Sequence, residues 1–210
     1  AFYVNTGNIS MCKTEMSGNG KDGSEIKTTN GGAIALYNGT FSFGDDSVIK
    51  TNAASGNGGG LYISNESPTA ITCVGGSYEE NIANLGGGIY ASGPINLTFA
   101  ANVENNRANN GGGLYLDGGV NMTFGYKDTS DDEEISGLIV RNEANGTGTD
   151  GVGGGIYLNE GTLSFAATEN HYWHVGHFHH ADRKEYADCI VEVHNTLAAR
   201  DAYAHNGGWR

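Results

Sequence analysis

Apolar and polar residues alternate along this chain in short bursts, and each burst ends at a turn. One kind reads apolar, Ser or Thr, apolar: Asn8-Ile9-Ser10-Met11, Thr40-Phe41-Ser42-Phe43, Ala70-Ile71-Thr72-Cys73, Asn96-Leu97-Thr98-Phe99, Asn121-Met122-Thr123-Phe124 and Thr162-Leu163-Ser164-Phe165. A period of two sends successive side chains to opposite faces, so each burst predicts a strand with one buried face. A second kind follows glycines: GGAIAL from Gly31, GGGLYI from Gly58, GGGIYA from Gly86, GGGLYL from Gly111 and GGGIYL from Gly153. A third precedes the glycines as Ile49-x-x-Asn52, Tyr78-x-x-Asn81, Val103-x-x-Asn106 and Ile139-x-x-Asn142, with Ala54, Ala83, Ala108 and Ala144 two residues on.

The three kinds recur together. Successive glycine motifs lie 27, 28, 25 and 42 residues apart. A unit of this size holds three short strands, none able to bury its apolar face alone, so neighbouring units must stack. The predicted fold is all-β, a parallel β-helix of about 25 residues per rung with three strands in each. Like residues then form ladders along the axis. Ile34, Leu61, Ile89, Leu114 and Ile156 make one inward ladder; Met11, Phe43, Cys73, Phe99, Phe124 and Phe165 make another, with Cys73 as a small core residue. Asn52, Asn81, Asn106 and Asn142 are expected inside a corner, their amides bonded to one another and to turn backbone. The glycines are assigned to that corner, where backbones approach closely or need positive φ.

Two stretches break the period. Met11 to Asn30 is polar and glycine-rich, and "GYKDTSDDEEI" from Gly125 is an acidic loop. Asp131, Asp132, Glu133 and Glu134 are close enough in sequence to raise Ca²⁺ binding. They lack the D-x-[DN]-x-[DN]-G spacing of a calcium loop, which favours a solvated loop.

Composition sharpens this picture. Thirty-five glycines and two prolines in 210 residues fit a chain of corners, without a collagen period. The net charge of −13 argues against nucleic acid and anionic membrane surfaces as partners. No apolar run reaches the roughly 20 residues of a spanning helix, so no membrane-spanning segment is expected. The chain opens at Ala1, just before Phe2-Tyr3-Val4, which reads as a processed protein or an excised piece. Three cysteines (Cys12, Cys73 and Cys189) without a CxxC give no zinc signature and leave one disulfide open. N-x-S/T sequons stand at Asn8, Asn38, Asn65, Asn96, Asn121 and Asn145 as glycosylation candidates, or as asparagines in turns.

The pairing of GGAI, GGGI and GGGL with an apolar-x-x-Asn motif resembles the repeats of chlamydial polymorphic outer-membrane proteins and related autotransporter-like adhesins. Gly31-Gly32-Ala33-Ile34 matches that family's GGA[ILV] signature, and Phe99-Ala100-Ala101-Asn102 matches its FxxN signature out of phase. The in-phase copies carry Ile, Tyr or Val in place of Phe. The resemblance covers about residues 1–165. It implies a right-handed parallel β-helix displayed at a cell surface, with adhesive or structural duties.

After Phe165 the pattern stops, which predicts two regions, 1–165 as β-helix repeats and 166–210 as a cap. All seven histidines lie in the second region. Tyr186, Cys189 or Ile190, Val193 and Leu197 fall on one helical stripe, predicting an amphipathic helix over about 181–204 that closes the solenoid. His174, His177 and His179 are the candidates for a shared transition metal, although no fixed motif is matched; packing of the cap is the alternative.

Two outward columns remain. Tyr62, Tyr90, Tyr115 and Tyr157, with Tyr3 before them and Ala35 as a gap, are expected to form an exposed aromatic face for a glycan or a protein. Ser42, Thr72, Thr98, Thr123 and Ser164 line up as a hydroxyl row. The strands carry almost no charge, and Asp117 sits just past one of them. GxSxG, Walker and HExxH motifs are all missing from the sequence. No cofactor is implied. The expectation is a non-catalytic extracellular β-helix acting as an adhesin or a fibre-forming protomer, partnered by itself, by a host or cell-surface protein, or by a glycan. The alternatives are a carbohydrate-active β-helix enzyme, a lyase or glycosidase using a face carboxylate, and an ice-binding protein.

Overall fold

The computed structural model describes residues 1–22, 24–44, 46–127, 134–147, 150–166, 171–178, 182–186 and 189–195. The chain divides into two compact units, Ala1–Ala166 and Ala167–Arg210.

The first unit is a β-solenoid. Its first sheet holds the strands that follow the glycines: Phe2–Val4, Ile34–Tyr37, Leu61–Ser64, Ile89–Ser92, Leu114–Asp117 and Ile156–Leu158, hydrogen-bonded in that order. Every pair is parallel and in register, with Leu61 beside Ile89 and Ile89 beside Leu114. The second sheet runs Gly7–Met11, Gly39–Phe43, Thr69–Glu79, Ile95–Glu104, Val120–Phe124 and Gly161–Phe165. The third-kind strands join this sheet. Glu15–Ser17 pairs with Val48–Lys50, which pairs with the end of Thr69–Glu79, and Ile139–Val140 pairs with the end of Ile95–Glu104. Where Thr69–Glu79 meets Ile95–Glu104, the second and third kinds run on through an irregularity between Val74 and Ser77.

Alternation decides which side chains go inside. In Ile95–Phe99, residues 95, 97 and 99 are buried while Asn96 is exposed, and Val120–Phe124 repeats the pattern. The core is built from Ile34, Leu61, Ile89 and Leu114 facing Phe41, Ile71, Leu97 and Met122, all at most 3% exposed. Burying a Leu or Ile side chain contributes roughly 1.5–3 kcal/mol, and each rung adds several.

The glycines and the asparagines belong to two different corners of the rung, not to one. The first glycine of each motif (Gly31, Gly58, Gly86, Gly111 and Gly153) has φ between +62° and +67°. At the second, a Cβ on Gly59 would overlap the Gly87 carbonyl of the next rung, so the glycines are required by close stacking as well as by dihedral. The second of these corners precedes each asparagine of the column. There Gly18, Thr51, Glu80, Asn105 and Arg141 all adopt φ of +53° to +66°, the left-handed region.

The stretch from Met11 to Asn30 is only partly an insertion. Met16-Ser17-Gly18-Asn19 is a further apolar-x-x-Asn copy, and Glu15–Ser17 is the third strand of its rung. The true excursion is the antiparallel pair Lys21–Asp22 and Glu25–Ile26. The acidic loop leaves the solenoid as a second antiparallel pair, Tyr126–Lys127 and Glu134–Ile135, with Lys127 3.2 Å from Glu134. Asp131, Asp132 and Glu133 lie outside the described residues.

In the second unit, His171–Phe178 pairs parallel with Cys189–Asn195, which pairs antiparallel with Asp182–Tyr186. The helix expected over 181–204 is therefore corrected to strand at its described residues, and 196–204 lie outside them. Cys189-Ile190-Val191-Glu192-Val193 is dominated by β-branched residues, which lose rotamer freedom in a helix and suit a strand. The helical stripe was a weaker signal. His174 and His177 lie on the strand His171–Phe178, and His179 lies outside the described residues.

Candidate functional site

The asparagine column is the most tightly organised feature. Asn52 donates from its backbone N–H and from Nδ2 to Oδ1 of Asn81, and its Nδ2 also donates to the Met16 carbonyl. Asn81 does the same toward Asn106 Oδ1 and the Ile49 carbonyl, and Asn106 toward Asn142 Oδ1 and the Tyr78 carbonyl. Asn19 opens the column, donating to Asn52 Oδ1 at 2.8 and 2.9 Å. Asn52, Asn81 and Asn106 are fully buried. Among the described residues, no buried side-chain nitrogen or oxygen lacks a partner. These amides hold the corner and offer nothing to a ligand.

One aromatic file runs Phe43, Tyr78, Phe99, Phe124, Phe165, with ring centroids 4.7 to 6.4 Å apart, buried as far as Phe124 and exposed at Phe165. Cys73 leaves a vacancy in its own ladder, and the ring of Tyr78 fills it from the third strand, its hydroxyl 3.7 Å from the Cys73 sulfur. Burial pushes the Cys73 thiol up to about 12 and the Tyr78 phenol well above its ordinary value. Neither is a nucleophile at neutral pH.

The tyrosine column is complete. Tyr37 occupies the place left by Ala35, giving Tyr3, Tyr37, Tyr62, Tyr90, Tyr115 and Tyr157 at successive centroid distances of 5.4, 5.2, 5.3, 5.4 and 4.7 Å. Here the expectation of an exposed face is corrected. Tyr62 and Tyr90 are 9% and 7% exposed, because each ring covers its neighbour's face and Leu85 packs against the column. Tyr37, Tyr115 and Tyr157 are half-buried, and Tyr3 at the start of the column is 70% exposed. Burial, and then Asp117, push the Tyr90 hydroxyl up to about 12.

Asp117 is fully engaged. Its Oδ1 accepts from Gly118 N–H and Asn159 Nδ2, and its Oδ2 accepts from the Tyr90 hydroxyl at 3.3 Å. A carboxylate bonded on both oxygens is poorly placed to act as a general base. A shallow hollow of about 570 Å³ opens between the turns at Asn38 and Asn65, where Glu66 is the only ionisable lining group. No group of three His, Cys, Asp or Glu side chains able to hold a metal occurs among the described residues. No helix of the described residues is long and apolar enough to cross a membrane.

The sequons separate by environment. Asn8, Asn38, Asn96, Asn121 and Asn145 are exposed. Asn65 is 4% exposed, accepts from Gly39 N–H and donates to the Gly39 carbonyl, so it is corrected from glycan acceptor to turn support.

The outward side of the second sheet carries two regular files. One is all hydroxyl: Ser10, Ser42, Thr72, Thr98, Thr123 and Ser164, one to a strand and in register. The other, two residues earlier, is Asn8, Thr40, Ala70, Asn96, Asn121 and Thr162. None carries a charge. Compared with known proteins, the chain matches no family model, no curated protein and no solved structure.

Proposed function

We propose that this chain is a non-catalytic, extracellular surface β-helix, an adhesin or a structural protomer built on repeats of the polymorphic outer-membrane protein kind, with self, cell-surface protein or glycan as partner. One observation carries the reading: side chains of like kind lie in register from rung to rung, so the solenoid presents similar chemistry repeatedly along its length. Repetition suits avidity, in which several weak contacts act together. It adds nothing to catalysis, which needs different groups converging on one point. The occupied oxygens of Asp117 argue in the same direction. The exposed sequon asparagines fit a secreted glycoprotein.

Binding to immobilised glycans and to intact cells tests this reading, with sedimentation to detect self-assembly. Retention on either surface, or sedimentation above the monomer, is expected. A lone monomer bound by neither would defeat it. Incubation with uronate polymers, read by the absorbance of unsaturated products, separates the enzyme alternative; activity lost on Asp117→Asn would overturn the proposal.

A further inference from the structure

The two outward files of the second sheet have a use that adhesion does not require. They form a grid. Neighbouring strands repeat at about 4.8 Å along the axis, and the files are about 6.6 Å apart across it, two residues of extended chain. The hydroxyl file keeps its register over all six strands, and the second file keeps it everywhere but between Thr40 and Ala70, where the hollow beside Glu66 opens; none of the grid positions is charged. Such stacking resists the twist that would tilt one strand against the next.

The grid is also stiff. Ser42 donates to Ser10 Oγ at 2.9 Å, Thr40 to Asn8 Oδ1 at 2.7 Å and Thr162 to Asn121 Oδ1 at 2.7 Å. In the middle, the Thr72 and Thr98 hydroxyls and the Asn96 amide have no protein partner among the described residues, so water completes them. Short side chains fixed on a parallel ladder hold those waters at the period of the ladder. The methyl groups carried by Thr72, Thr98 and Ala70 offer water no hydrogen bond, so water over them bonds only to other water. A charged or mobile surface would instead impose a hydration shell of its own.

We propose that this face binds the surface of an ice crystal, its hydroxyl and amide groups anchoring a layer of water whose spacing continues into the lattice. The proposal stands independently of the adhesive reading and requires Asn96 and Asn121 to be free of glycan, since a sugar on either would hold the face away from a flat solid.

The test is cold-stage microscopy on the full chain made in a host that does not attach N-glycans. The expected result is faceted crystals whose growth halts over a measurable interval below the melting point. Thr72→Lys and Asn96→Lys, both at exposed positions, should each remove the interval while Glu143→Lys, outside the grid, leaves it; unchanged melting temperatures show that the variants fold. Rounded crystals with no interval at millimolar protein would overturn the proposal. So would an interval indifferent to both grid variants, or a glycan on Asn96 or Asn121 in protein made by a glycosylating host.

Discussion

Oδ1 of Asn81 accepts two hydrogen bonds from Asn52, from the backbone N–H and from Nδ2, both at 3.0 Å. One side-chain atom thus satisfies two buried donors of the previous rung, while its own Nδ2 serves Ile49 and Asn106. Asn81→Ala would leave the Asn52 backbone N–H without its acceptor and take one bond each from Asn52 Nδ2, the Ile49 carbonyl and Asn106 Oδ1. With roughly 1–3 kcal/mol for the stranded N–H and about 1 kcal/mol for each further bond lost, the expected loss is several kcal/mol in urea unfolding. Asn142→Ala, half-buried at the end of the column, should lose less. Equal losses would contradict the ladder.

Tyr37 completes the tyrosine column by reaching into the gap at Ala35, 5.4 Å from Tyr3 and 5.2 Å from Tyr62. Two aromatic pairs at about 0.5–1.5 kcal/mol each predict that Tyr37→Ala lowers stability by ~1–3 kcal/mol. Adding Ala35→Tyr to that variant should recover most of the loss, since the new ring enters the same stack. Thermal or denaturant melts of the two variants decide it.

Alkaline pH should weaken the solenoid in a defined window. The Cys73 thiol rises from an ordinary value of 9.0 to about 12, mainly through burial. Below the lower value it is neutral both folded and unfolded, so its contribution is fully present. Between the two values only the unfolded chain ionises, and stability falls until the folded thiol titrates. Tyr90, raised from 10.0 to about 12, acts in the same sense. Cys73→Ala should flatten part of the decline after its own cavity cost is subtracted. At pH 8 a thiol reagent should modify exposed Cys12 readily and Cys73 only after unfolding.

Glu80 sits exposed at φ +53°, in a column that begins with Gly18. A left-handed dihedral costs a side chain with a Cβ about 1–2 kcal/mol. Glu80→Gly is expected to stabilise the protein by ~1 kcal/mol, and Glu80→Val to destabilise it. Chemical denaturation of both variants checks the sign.

The stacking order of the solenoid could be read from sequence because its core faces repeat with period two and its glycines mark one corner of every rung. The corner before the asparagines could not. Thr51, Glu80, Asn105 and Arg141 share a dihedral and no chemistry, so only the following asparagine betrays it. Met16-x-x-Asn19 carried the same signal but was obscured by its polar, glycine-rich surroundings. Gaps at Ala35 and Cys73 looked like breaks because alignment compares equivalent positions, whereas packing lets Tyr37 and Tyr78 enter from other ones. Burial of the tyrosines is hidden for a related reason: alternation tells which side a ring faces, not that its neighbours cover it. In the second unit a helical stripe competed with a β-branched run, and the β-branched residues form the strand.

All of this depends on like residues lying over like. Spin labels at outward-facing positions of the hydroxyl file measure it directly, in a background with Cys12 and Cys189 changed to serine and Cys73 buried. Labels on Ser42→Cys and Thr123→Cys should lie roughly 14 Å apart and those on Ser10→Cys and Ser164→Cys roughly 24 Å, three and five strand spacings. A separation growing in that proportion is the predicted result; a broad distribution, or a Ser10–Ser164 distance several times larger, would contradict it.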